Sequence, residues 1–443
     1  MKFRGLILAA LVLIVLAGFL YWSDHKKATE TSKPAETTPV VLKVDEAAIT
    51  GLTIKKKDEA PVVLARTDSN NWKITQPGSF GADQAIVGSA LHYLSSMTSI
   101  RVVEDKGSNL KTYGLDPPAA EVNISEKNGQ HKVLIGDETP TGGAVYVAVG
   151  GDPRVYTVSS FLKTGVVKTL DELRDKRLVT LDTEKLRSVE LTRGKEEIEF
   201  VENDDQWAIA KPKAMRADQL AVDDLVHKLR DARMELGGTQ ETSAEFNHLT
   251  PVGDAKLTGE SSMQEVQVRK SKDANYAKTS VVDGFYKTGP DLGTVMAKSL
   301  DGFRNKKLFD FGFTDPQKIE WHSGDKPLTL ARSGEDWTAD GKKMAADSVQ
   351  GLVAKLRDLT AAKFVEARFG KPIIDVTVTS DDGKRVEEIS VTKVGDGYIA
   401  KREDGTTLYQ LDSAAVDELR KAAEAVKSEQ PAKQAATPAP PAK

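Results

Sequence analysis

The chain has no cysteine. That absence excludes disulfides, thiol nucleophiles and every zinc or iron–sulfur site built on thiolates. Histidine is scarce too. His25, His92, His131, His227, His248 and His322 are scattered, with no H-E-x-x-H pair among them, so no histidine metal centre is expected. An excess of one charge is also missing. The 62 Lys and Arg against 66 Asp and Glu leave a formal net charge of −4, and nucleic acid, which needs a concentrated basic face, is not an expected partner. Neither a Gly-x4-Gly-Lys-Ser/Thr phosphate loop nor a G-x-S-x-G nucleophile elbow occurs. No cofactor, metal or catalytic residue is assigned, and the chain is expected not to be an enzyme.

What is present begins with one long apolar run. Gly5–Trp22 is a stretch of 18 uncharged residues, about 27 Å as a helix, which matches one hydrocarbon core. Lys2 and Arg4 precede it, and Tyr21 and Trp22 stand where an aromatic belt belongs. The run exceeds a signal-peptide core and no A-x-A-like site follows it. Phe19 occupies the place a lipobox cysteine would need. The expectation is an uncleaved anchor over 1–23 with the amino terminus cytoplasmic and the bulk of the chain outside the inner membrane. A polar linker over 24–40 follows, and a disordered Pro/Ala-rich tail is expected over 427–443.

Between these ends one unit recurs three times. Trp72, Trp207 and Trp337 are spaced by 135 and 130 residues. Each precedes an aspartate, at Asp83, Asp218 and Asp347, placed to cap a helix. In the third copy Gln350 stands at a capping-box spacing. The helices share one apolar stripe at i, i+3, i+4 and i+7: Val87-Ala90-Leu91-Leu94, Val222-Leu225-Val226-Leu229 and Val349-Leu352-Val353-Leu356. Tyrosine pairs follow, Tyr146 and Tyr156, Tyr276 and Tyr286, Tyr398 and Tyr409, around hairpin-forming turns. Copies one and two close on TLDELRDKRLV (169–179) and SLDGFRNKKLF (299–309), while the third ends in a helix from Asp412. The expected fold class is α+β, an N-terminal transmembrane helix followed by three tandem, mainly antiparallel α+β repeats over 41–183, 184–316 and 317–426.

One loop differs between copies. DETPTGGAV, nine residues between Gly136 and Tyr146, replaces gaps of six and five in the other two. Loops longer than their geometric minimum are favoured places for binding. Asp137 and Glu138 in this loop, with Arg154 in the next turn, are the candidate ligand or partner contacts. The three tryptophans are read as core landmarks rather than a sugar-stacking row, since each has the same place in an alternating segment.

YGLDPPAAEV (113–122), VLIGDETPTGG, VYVAVGGDPRVYTVSSF and LDELRDKRLV together resemble the bacterial family known as domain of unknown function 4340 (DUF4340). FNHLTP (246–251) and FGKP (369–372) stand in for YGLDPP in copies two and three. The resemblance implies a membrane-anchored protein, in a setting similar to the extracytoplasmic partners of gliding-type ABC transporters. It supplies no catalytic residues. The expected function is therefore a non-enzymatic scaffold or accessory binding protein for an envelope complex, with ABC transporter subunits as candidate partners. The alternative is a periplasmic glycan- or lipid-binding or processing protein that uses the 137–154 region.

Overall fold

A computed structural model describes residues 40–429, apart from 69, 205, 237–242, 273 and 325–326 and the side chains of 243–244. The expected anchor over 1–23, most of the linker and the tail beyond Glu429 lie outside the described residues. The chain divides into two compact units, one up to Lys176 and one from Arg177.

The first unit holds one sheet made of β1 (Ile49–Lys56), β2 (Val62–Arg66), β3 (Trp72–Gln76), β4 (Phe80–Gly81), β5 (Arg101–Glu104), β6 (Ala120–Glu126), β7 (Gly129–Glu138), β8 (Ala144–Val149) and β9 (Val155–Ser159). Their order is β4-β3-β2-β1-β6-β7-β8-β9-β5, and every pairing is antiparallel. Two further nine-stranded sheets, beginning at Leu186 and Lys318, repeat the same order inside the second unit.

This corrects the expected fold class. Where mainly antiparallel α+β repeats behind a transmembrane helix were expected, the molecule is mostly antiparallel sheet, three nine-stranded sheets with few helices, and among the described residues no helix is long and apolar enough to cross a membrane. The 3.6-residue stripes stand out in the sequence because each spans a whole helix. Short strands of period two carry weaker individual signals and are easily undercounted.

Each sheet is lined on one face by helices. In the first unit α1 (Gln84–Ser95) buries Val87, Ala90, Leu91 and Leu94, and α2 (Phe161–Val166) buries Leu162 and Val166. They share a core with Leu52, Ile54, Ile124, Ile135 and Val147 from the sheet. The stripes of Gln219–Asp231 and Ala346–Asp358 are buried in the same way. Trp72, Trp207 and Trp337 are all buried in these cores. A glutamine clamps the first two: Trp72 N–H donates to Gln84 Oε1 at 2.8 Å and Trp207 N–H to Gln219 Oε1 at 2.7 Å, and each amide donates back to the tryptophan carbonyl.

The third copy departs from the pattern in three ways. Asp83 and Asp218 cap their helices, but the third helix has Ala345 at its N-cap, and Asp347 lies inside the first turn without a capping bond. Gln350 donates to Asp315 and forms no capping box. Tyr398 is one residue out of register with Tyr146 and Tyr276. Val147 and Ala277 face Tyr156 and Tyr286, whereas Ala400 faces Tyr409, so Ile399 holds the tyrosine's place. A shift of one residue along a strand changes the face, and Tyr398 joins the buried core. Finally, Ser413–Glu424 corresponds to α2, and Ser428, bridged to Met344, takes the place that Arg174 and Arg304 hold against Ala82 and Ala217 in the first two copies. There Ala345 N–H donates to Lys427 O and Glu429 N–H to Lys343 O, so this start of the expected tail is paired.

Capping supplies the first prediction. Asp218 Oδ1 accepts Ala221 N–H at 3.1 Å, so Asp218→Ala is expected to cost about 1 kcal/mol. Asp347→Ala in the same unit should stay within about 0.5 kcal/mol of wild type. Denaturant unfolding of the two variants side by side checks the difference.

Candidate functional site

Asp137 and Glu138 form the exposed end of β7. The extra residues close a tight turn, in which Thr139 N–H donates to Ala144 O at 2.9 Å and Gly142 N–H to Thr139 O at 2.8 Å. Behind them the YGL and GD segments interlock. A Cβ at Gly136 would stand 2.2 Å from Tyr113 O, and one at Gly114, whose φ is +64°, would stand 2.3 Å from Asp137 Cγ. Only glycine allows both approaches.

Arg154 lies at the other end of β8, in the turn before β9. Six strand residues separate it from the longer loop, about 20 Å at the usual rise. The structure therefore does not bring Arg154 together with Asp137 and Glu138. Its guanidinium instead grips Asp152 with bonds of 2.9 and 2.7 Å, and Tyr156 Oη donates to Asp152 Oδ2 at 2.6 Å.

This trio is electrostatically locked. The bonds from Arg154, with a further one from Tyr156, hold the Asp152 carboxyl well below the usual carboxylate range despite its partial burial. Burial and the hydrogen bond to Asp152 push the Tyr156 phenol up to about 12. Lowering of the carboxyl pKa on folding means its contribution is present above the unfolded value near 4 and is lost as pH falls through the folded one. The stability difference between wild type and Asp152→Asn is therefore expected to shrink below about pH 4. Acid titration of unfolding free energy for both proteins measures this.

The second unit contains a polar cleft of about 980 Å3 between the edge of the second sheet and the end of the third. The segment Phe303–Phe311 runs along it. Asp218 N–H donates to Phe303 O and Asn305 N–H to Arg216 O, while Leu308 N–H donates to Leu359 O and Ala361 N–H to Lys306 O. One half of the segment thus pairs with the second sheet's side and the other half with the third's.

Buried charge fastens the crossing. Glu387 and Arg402 side chains are 3 % and 7 % exposed and pair at 3.1 Å. Glu387 accepts Asp310 N–H with both oxygens, at 2.8 and 3.1 Å, and Arg402 donates to Leu308 O. The second guanidinium edge binds Asp404 at 2.7 Å. Burial opposes the Arg402 charge, but its bonds and attraction to Asp404 and Glu387 outweigh this and raise its pKa. The bond from Arg402 holds Asp404 low. Asp310 in turn pairs with Arg216 and accepts Asn305 Nδ2 at 3.1 Å, and Arg385 donates to its carbonyl at 2.7 Å. Arg304 lies 3.5 Å over the Phe364 ring.

A family profile described as domain of unknown function matches residues 72–248 and 207–373, together more than half of the chain. The chain belongs to the DUF4340 family. No curated protein matches it significantly. Among solved structures, it is similar to a DNA polymerase sliding clamp from Pseudomonas aeruginosa with ligand, at 8 % identity and TM-score 0.17, over 84 % of this chain and 93 % of that one. It is also similar to the DNA polymerase III subunit beta from Pseudomonas aeruginosa, at 9 % identity and TM-score 0.16, over 84 % and 94 %. TM-scores this low carry no argument about fold or function.

The first DUF4340 match contains the Asp137–Arg154 region and the second ends beyond the Phe303–Phe311 crossing. Sequence reasoning missed Arg216, Asp310, Glu387 and Arg402. A signal existed in the copies themselves. In the second sheet Gln264 accepts Thr180 N–H at 2.9 Å and donates to Thr180 Oγ1 at 2.7 Å. Gln264 and Glu387 each precede the first core residue of their strand, Val266 and Ile389, by two. Aligned copies therefore show Thr180/Gln264 becoming Asp310/Glu387, a neutral clasp made ionic. The exposed His92 and His227 take no part in either region, and among the described residues no three His, Asp or Glu side chains group to hold a metal.

Proposed function

We propose that this DUF4340 protein is a non-enzymatic scaffold or accessory binding protein of the cell envelope. It is held at the cytoplasmic membrane with its sheets outside, and it serves a protein complex such as an ABC transporter. One observation carries the non-enzymatic part. The perturbed ionisable groups of both regions have pKa values moved away from neutral pH by structural partners: Asp152 and Asp404 down, Tyr156 and Arg402 up. General acid–base catalysis calls for the opposite tuning, toward the working pH. Charges spent on fastening segments to sheets suit a molecule whose work is to present surfaces.

Crosslinking in intact cells, affinity purification from solubilised membranes and mass spectrometry test this reading. Transporter subunits or another envelope complex should be recovered with the full chain. A second sample with 139–143 shortened to a two-residue turn reports whether the longer loop makes the contact. Recovery of no protein partner, with glycans or lipids retained instead, would replace the scaffold with the ligand-binding alternative.

A further inference from the structure

Outward-facing contacts between paired helices differ among the three copies in one place. In the second sheet's pair Lys228 meets Asp291 at 2.7 Å, and in the third's Lys355 meets Glu418 at 2.6 Å. Tyr93 stands where Lys228 and Lys355 stand, just before the last buried leucine of the stripe. Phe161 stands where Asp291 stands, just before the first buried leucine of the second helix. Two aromatics thus replace an ion pair on the surface of the first unit. Phe161 is 68 % exposed and Tyr93 37 %.

A Cβ at Gly165 would lie 2.3 Å from Tyr93 Cδ2, so the tyrosine ring rests on Gly165, one helical turn from Phe161 on the same face. Two more exposed apolar residues belong to this end of the unit, Val40 and Ile100 at 61 % and 62 %. Val40 pairs with Thr98, and Ile100 N–H donates to Thr157 O, four residues before Phe161. The longer loop is here as well, since Ser160 N–H donates to Gly143 O. Exposed apolar residues gathered at one end of a unit mark an interaction site.

We propose that this patch rests in the interfacial layer of a lipid bilayer. Two observations select lipid as its occupant. The described chain enters at Val40, inside the patch, and only 17 residues separate Val40 from the apolar run ending at Trp22, a reach of at most about 60 Å. An aromatic pair with a phenol at its rim is also the composition of membrane–water interfaces. Asp137 and Glu138 at the longer loop are offset by Arg101 beside Ile100 and by Lys163, which donates to Gly136 O, so the contact calls for no net headgroup charge and a zwitterionic bilayer suffices. This inference rests on the membrane location proposed above.

Because the chain lacks cysteine, Ile100→Cys provides a single labelling position, and Asp291→Cys provides a control on the second unit. Full-length protein labelled with a polarity-sensitive fluorophore is mixed with phosphatidylcholine vesicles and floated on a density gradient. Quenching by aqueous iodide at position 100 is expected to fall several-fold with vesicles, while position 291 stays unchanged. Tyr93→Lys with Phe161→Asp, which installs the ion pair of the second sheet's helices, should restore quenching at position 100 while the protein remains folded and floats. Flotation without shielding at position 100 would overturn the patch contact and leave the membrane location standing. Absence of flotation would overturn both. Shielding that grows with protein concentration without vesicles would assign the patch to a second copy of the chain and also overturn the lipid assignment.

Discussion

Glu387→Ala is expected to destabilise the unit from Arg177 by about 3–5 kcal/mol, the usual cost of stranding one member of a buried ion pair. Removing the carboxylate leaves Arg402 without its buried partner and Asp310 N–H without its acceptor. Asp404 still holds one guanidinium edge, but it is 57 % exposed and screened by solvent. The second sheet supplies the compensating experiment. Gln264 occupies the place of Glu387, and Thr279, two residues after Ala277, occupies that of Arg402, two after Ala400. Glu387→Gln combined with Arg402→Thr should therefore regain most of the loss, because no charge is then left buried and the glutamine can still accept Asp310 N–H, as Gln264 accepts Thr180 N–H. Urea unfolding followed through Trp207, Trp321 and Trp337 measures both variants. A single substitution costing under about 0.5 kcal/mol, the range of ordinary surface changes, would show that the pair does not fasten the segment.

Phe303→Ala is expected to cost about 3–5 kcal/mol, as for other large-to-small changes of fully buried aromatics. Phe303 has no exposed surface and meets Phe200 edge-on, with ring centroids 4.9 Å apart. Its carbonyl also accepts the Asp218 N–H at the start of the capped helix. The residue thus plugs the crossing segment into the second sheet's core, and its loss leaves a cavity beside Phe200. Phe303→Leu should cost less than about 1.5 kcal/mol, since it conserves most of the apolar volume. Phe313, ten residues on and 95 % exposed, is the contrast: its alanine variant should lie within about 0.5 kcal/mol of wild type. Equal losses at both phenylalanines would mean that burial is not what makes Phe303 matter.

Legibility in the sequence followed the range of each interaction. The helix stripes were readable residue by residue, because a helix places i, i+3, i+4 and i+7 on one face whatever surrounds it. Asp83 and Asp218 were readable as caps for the same local reason, and Asp347 was not, because the helix starts two residues earlier than a cap at that position requires. Tyr398 misled because spacing along a chain does not report which face of a strand a residue takes. That depends on pairing with Leu408–Leu411, a long-range choice. The candidate contacts Asp137, Glu138 and Arg154 were close in sequence but are held apart by the length of β8.

The sequence alone determined the exclusions that follow from having no cysteine, the three tryptophan cores with their helices, and membership of the DUF4340 family, because each depends on composition or on patterns within a few turns. Tertiary structure alone decided that each copy forms one nine-stranded sheet, and that Asp310, Glu387 and Arg402 meet although about 15 to 90 positions separate them. The reason is physical: a buried carboxylate and guanidinium are tolerated only where distant backbone groups arrive to satisfy them. It is the fold that delivers Leu308 O and Asp310 N–H to that point.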